Sequence, residues 1–191
     1  MMKRIPVIPT VIVVAAALTM IGLGIWQLGR AEEKADLIAA YSDATAMADT
    51  VDFPLAGPGE ALWFRRSTVE CGSIATIEPV AGTAANGQKG WAQRATCRVG
   101  PSSTPVLVDL GFTRVLSTPE WSGGRVEGVI APGPRLVADP PVGDLTPLAK
   151  PDPGDLPNNH LAYAGQWFFF ALTALIIYAL AVRARMKRRS R

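Results

Sequence analysis

Two long runs without a charged side chain, residues 5–29 and 156–182, lie near the ends of this 191-residue chain, and they limit what it can fold into more than any other feature. At about 1.5 Å of rise per residue, each run crosses a hydrocarbon core of about 30 Å, and each is longer than a core helix needs to be. They predict transmembrane helices over residues 5–28 and 158–182. Lys3 and Arg4 precede the first run, and Arg183, Arg185, Lys187, Arg188, Arg189 and Arg191 follow the second. By the positive-inside rule, segments 1–4 and 183–191 are expected in the cytoplasm and residues 29–157 on the opposite side. A cleaved signal peptide is the rival for the first run. That run exceeds a typical h-region, however, no clean A-x-A site follows it, and Gly24-Ile25-Trp26-Gln27-Leu28 leads straight into a charged helical pattern. With only four residues ahead of the run, a mitochondrial leader is not expected either, which leaves a bacterial inner membrane.

The charge balance has to be read against this topology. The net charge of +3 and pI near 9.1 suggest a polyanion binder only while the chain is treated as uniform. Eight of the 19 basic residues sit in the two tails with no acid beside them. The middle holds eleven basic residues against all 16 acids, a net −5. Nucleic acid is therefore not an expected partner, whereas membrane lipids are.

About 120 residues between the spans suffice for one small domain. After a helical continuation over about 30–43, segments 66–71, 73–80, 91–99, 106–113 and 125–131 are short, rich in Val, Thr, Ile or aromatics, and bounded by Gly, Pro or Asn. They predict an antiparallel sheet or small barrel. Residues 132–157 carry eight prolines, which predicts an extended return to the membrane with no helix and no central strand. The expected fold class is thus a membrane protein, two transmembrane α-helices flanking a β-rich, α+β periplasmic domain. Cys71 and Cys97 are the only cysteines. A disulfide between neighbouring strands and a pair of buried thiols both remain open on sequence. Copper carriage is not expected, because closely spaced soft ligands such as C-x-x-C are missing.

Chemistry concentrates at the start of the second run. His160 is the single histidine, and on a helix His160, Tyr163, Ala164 and Trp167 occupy i, i+3, i+4 and i+7, placing an imidazole and two aromatic rings on one face with a small residue between them. Such a face suits a flat macrocycle with an axial imidazole on its iron. Trp and Tyr are also enriched at any membrane interface, and a helix cap meeting headgroups is the stronger reading of these residues taken alone. At the end of the first run, Trp26, Arg30 and Lys34 fall at i, i+4 and i+8, and like charges so spaced favour an anion nearby. Lipid phosphate, a haem propionate and an acidic protein surface all satisfy that requirement, as do Glu33 and Asp36 locally. Motifs of soluble enzymes are missing: there is no second histidine for a triad, no G-x-S-x-G, no P-loop and no His/Cys zinc cluster.

Three blocks resemble the surfeit locus protein 1 family of cytochrome c oxidase assembly factors. They are Leu23-Gly24-x-Trp26-Gln27-Leu28-x-Arg30-x-x-x-Lys34, then Lys89-Gly90-Trp91 with the run from Val106 to Phe112, and Pro157-Asn158-Asn159-His160-Leu161-x-Tyr163-Ala164-x-Gln166-Trp167-Phe168. The resemblance spans nearly the whole chain. It departs at Leu110-Gly111-Phe112, where the family usually has an Arg-Gly-Trp turn, and in a short Pro-rich return.

The resemblance implies a non-enzymatic factor that helps mature subunit I of haem-copper oxidases by binding and handing over haem a. His160 matches the family's proposed haem ligand, and Trp167 matches the tryptophan one heptad on. Tyr163 would pack beside the haem, and Arg30 and Lys34 would meet a propionate or a partner. Haem a synthase is a further implied partner. Two alternatives accompany this reading: a haem-independent scaffold that stabilises subunit I, and a membrane enzyme of haem modification, which a single histidine disfavours.

Overall fold

A computed structural model describes residues 6–101, 104–116 and 118–188. Lys3, Arg4, Arg189 and Arg191, and with them the segment assigned to residues 1–4, lie outside the described residues. The chain divides into two compact units, one built of residues 1–37 and 157–191 and the other of residues 38–156.

The first unit is a helix pair. Helix α1 runs Val7–Ala46 without a break, three residues beyond the helical continuation expected to end near 43, and helix α2 runs His160–Arg188. Both are long and apolar enough to cross a membrane. Their outer faces leave Ile12, Leu18 and Ile25 on α1 and Phe169, Leu172 and Leu180 on α2 more than half exposed, a surface that water does not tolerate and lipid does. The inner faces are small. Ala17, Gly24 and Ala31 recur every seven residues on α1 and are buried, as are Ala164 and Ala171 on α2. These small positions leave room for side chains of the facing helix, and helices in lipid rely on such packing because apolar burial gives them no driving force against one another. The contact is tight enough that a Cβ built on Gly24 would come 2.5 Å from the Phe168 ring. A hydrogen bond between the Thr10 and Tyr178 hydroxyls closes the far end. Gly24 against Phe168 and Thr10 against Tyr178 fix the pair as antiparallel.

The second unit is a seven-stranded sheet. Its strands are β1 (Thr50–Asp52), β2 (Arg66–Cys71), β3 (Ser73–Thr83), β4 (Lys89–Val99), β5 (Thr104–Thr113), β6 (Gly124–Ala131) and β7 (Arg135–Ala138). They pair in the order β1-β2-β6-β7-β5-β4-β3. The five expected strands are present, and β1 and β7 are additions. Most pairs are antiparallel, but β1 with β2 and β5 with β7 are parallel.

Strand β7 corrects the expectation that residues 132–157 exclude a central strand. It lies between β5 and β6 and pairs with both, Leu136 opposite Val108 on one side and Ile130 on the other. The prolines stand outside it, at 132, 134 and 140, so all four of its N–H groups are available to the ladder. The remainder of the return is pinned to the sheet: Thr146 exchanges both backbone hydrogen bonds with Phe112, and Ala149 N–H donates to the Thr83 carbonyl.

Only Gly72 separates β2 from β3, yet β2 pairs with β6 while β3 pairs with β4 at the far end of the order. The chain therefore bends at Gly72 and draws the sheet round on itself. In a flat sheet the four steps from β2 to β4 would cover about 19 Å. The Cα atoms of Cys71 and Cys97 are instead 5.3 Å apart and joined by a disulfide, and Gly72 N–H donates to the Arg98 carbonyl beside it. The two cysteines thus link strands that are not neighbours in the sheet. They sit in the main core with Val69, Val108, Leu110, Ile130 and Leu136. Tyr41, from the last turns of α1, packs on Trp63 and Phe64 at ring separations of 5.9 and 5.1 Å.

The Leu110-Gly111-Phe112 segment is strand, not turn. Leu110 and Phe112 are buried, and a Cβ on Gly111 would lie 2.6 Å from the Leu145 Cβ and 3.1 Å from the Thr146 carbonyl oxygen. Gly111→Ala is accordingly expected to lower unfolding free energy by about 1–3 kcal/mol, read as a lower melting temperature of the detergent-solubilised chain. The disulfide gives a second expectation: thiol titration of the unfolded, unreduced protein finds no free cysteine, and a Cys71→Ser, Cys97→Ser variant loses about 3–4 kcal/mol.

Candidate functional site

Helix α2 begins at His160, and the residue facing it on α1 is Gln27. His160 Nδ1 lies 2.7 Å from Gln27 Oε1. An amide oxygen only accepts, so Nδ1 carries the proton and donates, and in the neutral ring this arrangement leaves the lone pair on Nε2. Nε2 has no hydrogen-bond partner among the described residues. Two residues earlier, Asn158 Nδ2 donates to the Ala31 carbonyl at 3.1 Å. Gln27 and Ala31 are one turn apart, so a single stretch of α1 holds the entry to α2 at two points.

His160 lines a surface cavity of about 210 Å³ together with Arg30, Glu33, Lys34 and Leu37. That is below the roughly 300–1,000 Å³ of pockets that engulf a ligand, so the cavity suits a group held at its edge. Arg30 pairs with Glu33 across one helical turn, while Lys34 makes no ion pair among the described residues. The imidazole, Arg30 and Lys34 are therefore brought together. Tyr163 and Trp167 are not in this group. Tyr163 is half exposed, Trp167 packs edge-on against Phe170 at 6.4 Å, and neither lines the cavity. Ala164, expected to leave room between the rings, is buried in the seam between the helices. The face read from His160 to Trp167 is thus not one open surface, because the approach of α1 closes its middle.

Gln27 stands in the first of the three sequence blocks, where nothing local shows its contact with His160. The signal was a polar amide inside an otherwise apolar run, at the same end as the one histidine, since a polar group at a span needs a partner.

Residues 14–172 match the profile of the SURF1 family, a stretch that takes in the helix seam, the His160 site and the whole sheet. The chain belongs to the SURF1 family. That family is associated with cytochrome c oxidase assembly. No curated protein matches the chain.

At the centre of this SURF1-family sheet, next to Leu110, Asp109 is buried on β5 and gathers two arginines. Arg94 of β4 donates through Nε at 2.6 Å and Nη2 at 3.0 Å, and Arg135 of β7 donates through Nε at 2.9 Å. The hydrogen bond to Asp109 pushes the Arg94 guanidinium further up from its ordinary value, against the opposing effect of burial. A carboxylate so fully engaged ties three strands together and is not free to act as a base. Nearer the surface, Asp139 meets Lys150 Nζ at 2.8 Å and Arg66 Nη1 at 3.6 Å. The Lys150 hydrogen bond holds the Asp139 carboxyl below the usual carboxylate range, with burial opposing and the charges of Lys150 and Arg66 assisting.

Because the folded-state pKa of Asp139 is depressed, its stabilisation is present above the ordinary aspartate value of about 3.9 and is lost as pH falls through the lowered one. Lys150→Gln is expected to melt below the parent protein at about pH 6, and the gap is expected to narrow as pH falls below the ordinary aspartate range. A gap of equal size throughout would mean that Lys150 acts through something other than Asp139.

Proposed function

We propose that this SURF1-family chain is a two-pass bacterial inner-membrane protein that binds haem a at His160 and helps insert it into subunit I of a haem-copper oxidase. The observation that carries the reading is the chain's only imidazole, with an unengaged Nε2, lining one cavity with two cationic side chains. A neutral imidazole nitrogen is an ordinary axial ligand for haem iron, and Arg30 and Lys34 are the charges that haem propionates call for. The donor set fits the edge of a haem. His160 would hold the iron, Arg30 and Lys34 would meet the propionates, and Trp167 and Tyr163 lie outside the cavity. The bound haem would be cargo, supplying its redox chemistry to the oxidase and none to this protein. One histidine and a small open cavity favour release, as handing over requires. The protein would act as an assembly factor and not as an enzyme.

The topology follows the distribution of charge. Arg183, Arg185, Lys187 and Arg188 crowd the last turns of α2, and the tails carry no acid. Both termini are assigned to the cytoplasm and the sheet to the periplasm, where the Cys71–Cys97 disulfide is chemically at home. Subunit I is the expected partner, and haem a synthase the expected donor.

His160→Ala, purified from cells that make haem a, is expected to retain its fold and lose roughly tenfold or more of its bound haem. Equal haem content in variant and parent would overturn the ligand assignment. A haem-independent scaffold, the second reading, draws support from the cavity's small size. It would be established by undiminished co-purification with subunit I from cells unable to make haem a.

A further inference from the structure

We infer that Gln27 is the positioning residue of the His160 site, selecting the imidazole tautomer and presenting Nε2 as the ligating atom; this rests on the haem-binding reading of His160. A neutral imidazole exchanges between two tautomers, and only the nitrogen without the proton can bind a metal. Left alone at the start of a helix, the ring would also rotate. Gln27 Oε1 removes both freedoms at once, accepting from Nδ1–H at 2.7 Å and so leaving the lone pair on Nε2. Gln27 is half buried within an apolar run of α1, where an unpartnered amide is costly, so the bond serves both partners.

The helix seam sets the accuracy of this contact. Ala17, Gly24 and Ala31 place α1 against Ala164 and Ala171, and Asn158 Nδ2 fastens to the Ala31 carbonyl one turn beyond Gln27. Axial register and ring rotation are therefore fixed by separate bonds. An acceptor on the far nitrogen also makes the ligating nitrogen a better donor, and outer partners of this kind commonly control metal affinity and redox potential. Arg30 and Lys34 do not touch the ring nitrogens, so Gln27 is the group that acts on the imidazole itself.

The test is a titration of the full detergent-solubilised chain with ferric haem b, followed by potentiometry and resonance Raman measurement of the iron–imidazole stretch. Gln27→Leu is expected to weaken binding about 10–100-fold at an unchanged melting temperature. Gln27→Glu is expected to keep the haem, strengthen the iron–imidazole stretch and lower the midpoint potential, since a carboxylate acceptor raises imidazole basicity and favours ferric iron. His160→Ala serves as the reference. If it binds haem as tightly as the parent, the haem-binding reading fails and this inference with it. If it loses haem while Gln27→Leu stays within about twofold of the parent and Gln27→Glu leaves potential and stretch unmoved, the positioning role alone is overturned. Should Gln27→Leu not fold, the potential and stretch of Gln27→Glu decide the matter.

Discussion

The side-chain packing of α1 against α2 is the condition on which the His160 site depends. Small residues at 17, 24 and 31 on one helix and at 164 and 171 on the other are buried, and the Phe168 ring fills the space over Gly24. Across this packed pair a glutamine side chain reaches a histidine ring and an asparagine reaches a helix carbonyl. In lipid, where apolar side chains gain nothing by leaving one solvent for an identical one, such packing and such hydrogen bonds are the available sources of helix association. The same contact that stabilises the pair also orients its one imidazole.

The sheet rests on a different device. A single bent ribbon, β2 with β3, pairs at both ends of the strand order, and the Cys71–Cys97 disulfide lies where the two ends meet. The Asp109 carboxylate then binds arginines from β4 and β7, so the middle of the sheet is held by charge and its seam by a covalent bond. Losing either arginine would leave a buried charge short of a partner, which costs far more than the intact arrangement contributes. Such networks enforce one register more than they add stability.

Much of this was legible in the residues, for identifiable reasons. The helices were visible because a charge-free stretch of 25 residues suits a bilayer span and little else, and β2 to β6 because β-branched runs between glycines and prolines have a strand's period. Strand β7 is hidden by the prolines on both sides of it, whereas Arg135–Ala138 itself is proline-free and buried from Leu136 on. The bend at Gly72 was equally hidden, since no local pattern says that consecutive strands will join opposite ends of a sheet. At the site, His160, Arg30 and Lys34 were visible as residue types. Their convergence, and the exclusion of Tyr163 and Trp167, depended on the helix seam. A heptad of Ala and Gly carries too little hydropathic contrast to stand out within a run that is apolar throughout.

Gln27 and His160 are 133 residues apart, with the whole sheet domain between them in the chain. A ribosome makes the glutamine long before the histidine, and until the second helix has packed beside the first, the imidazole has no acceptor to set its angle. A chain whose two helices have not yet paired therefore displays a histidine but not an oriented one. The contact ties the orientation of this ring to the presence of both helices: order at this corner of the molecule waits until two distant parts of the polypeptide have been made and paired.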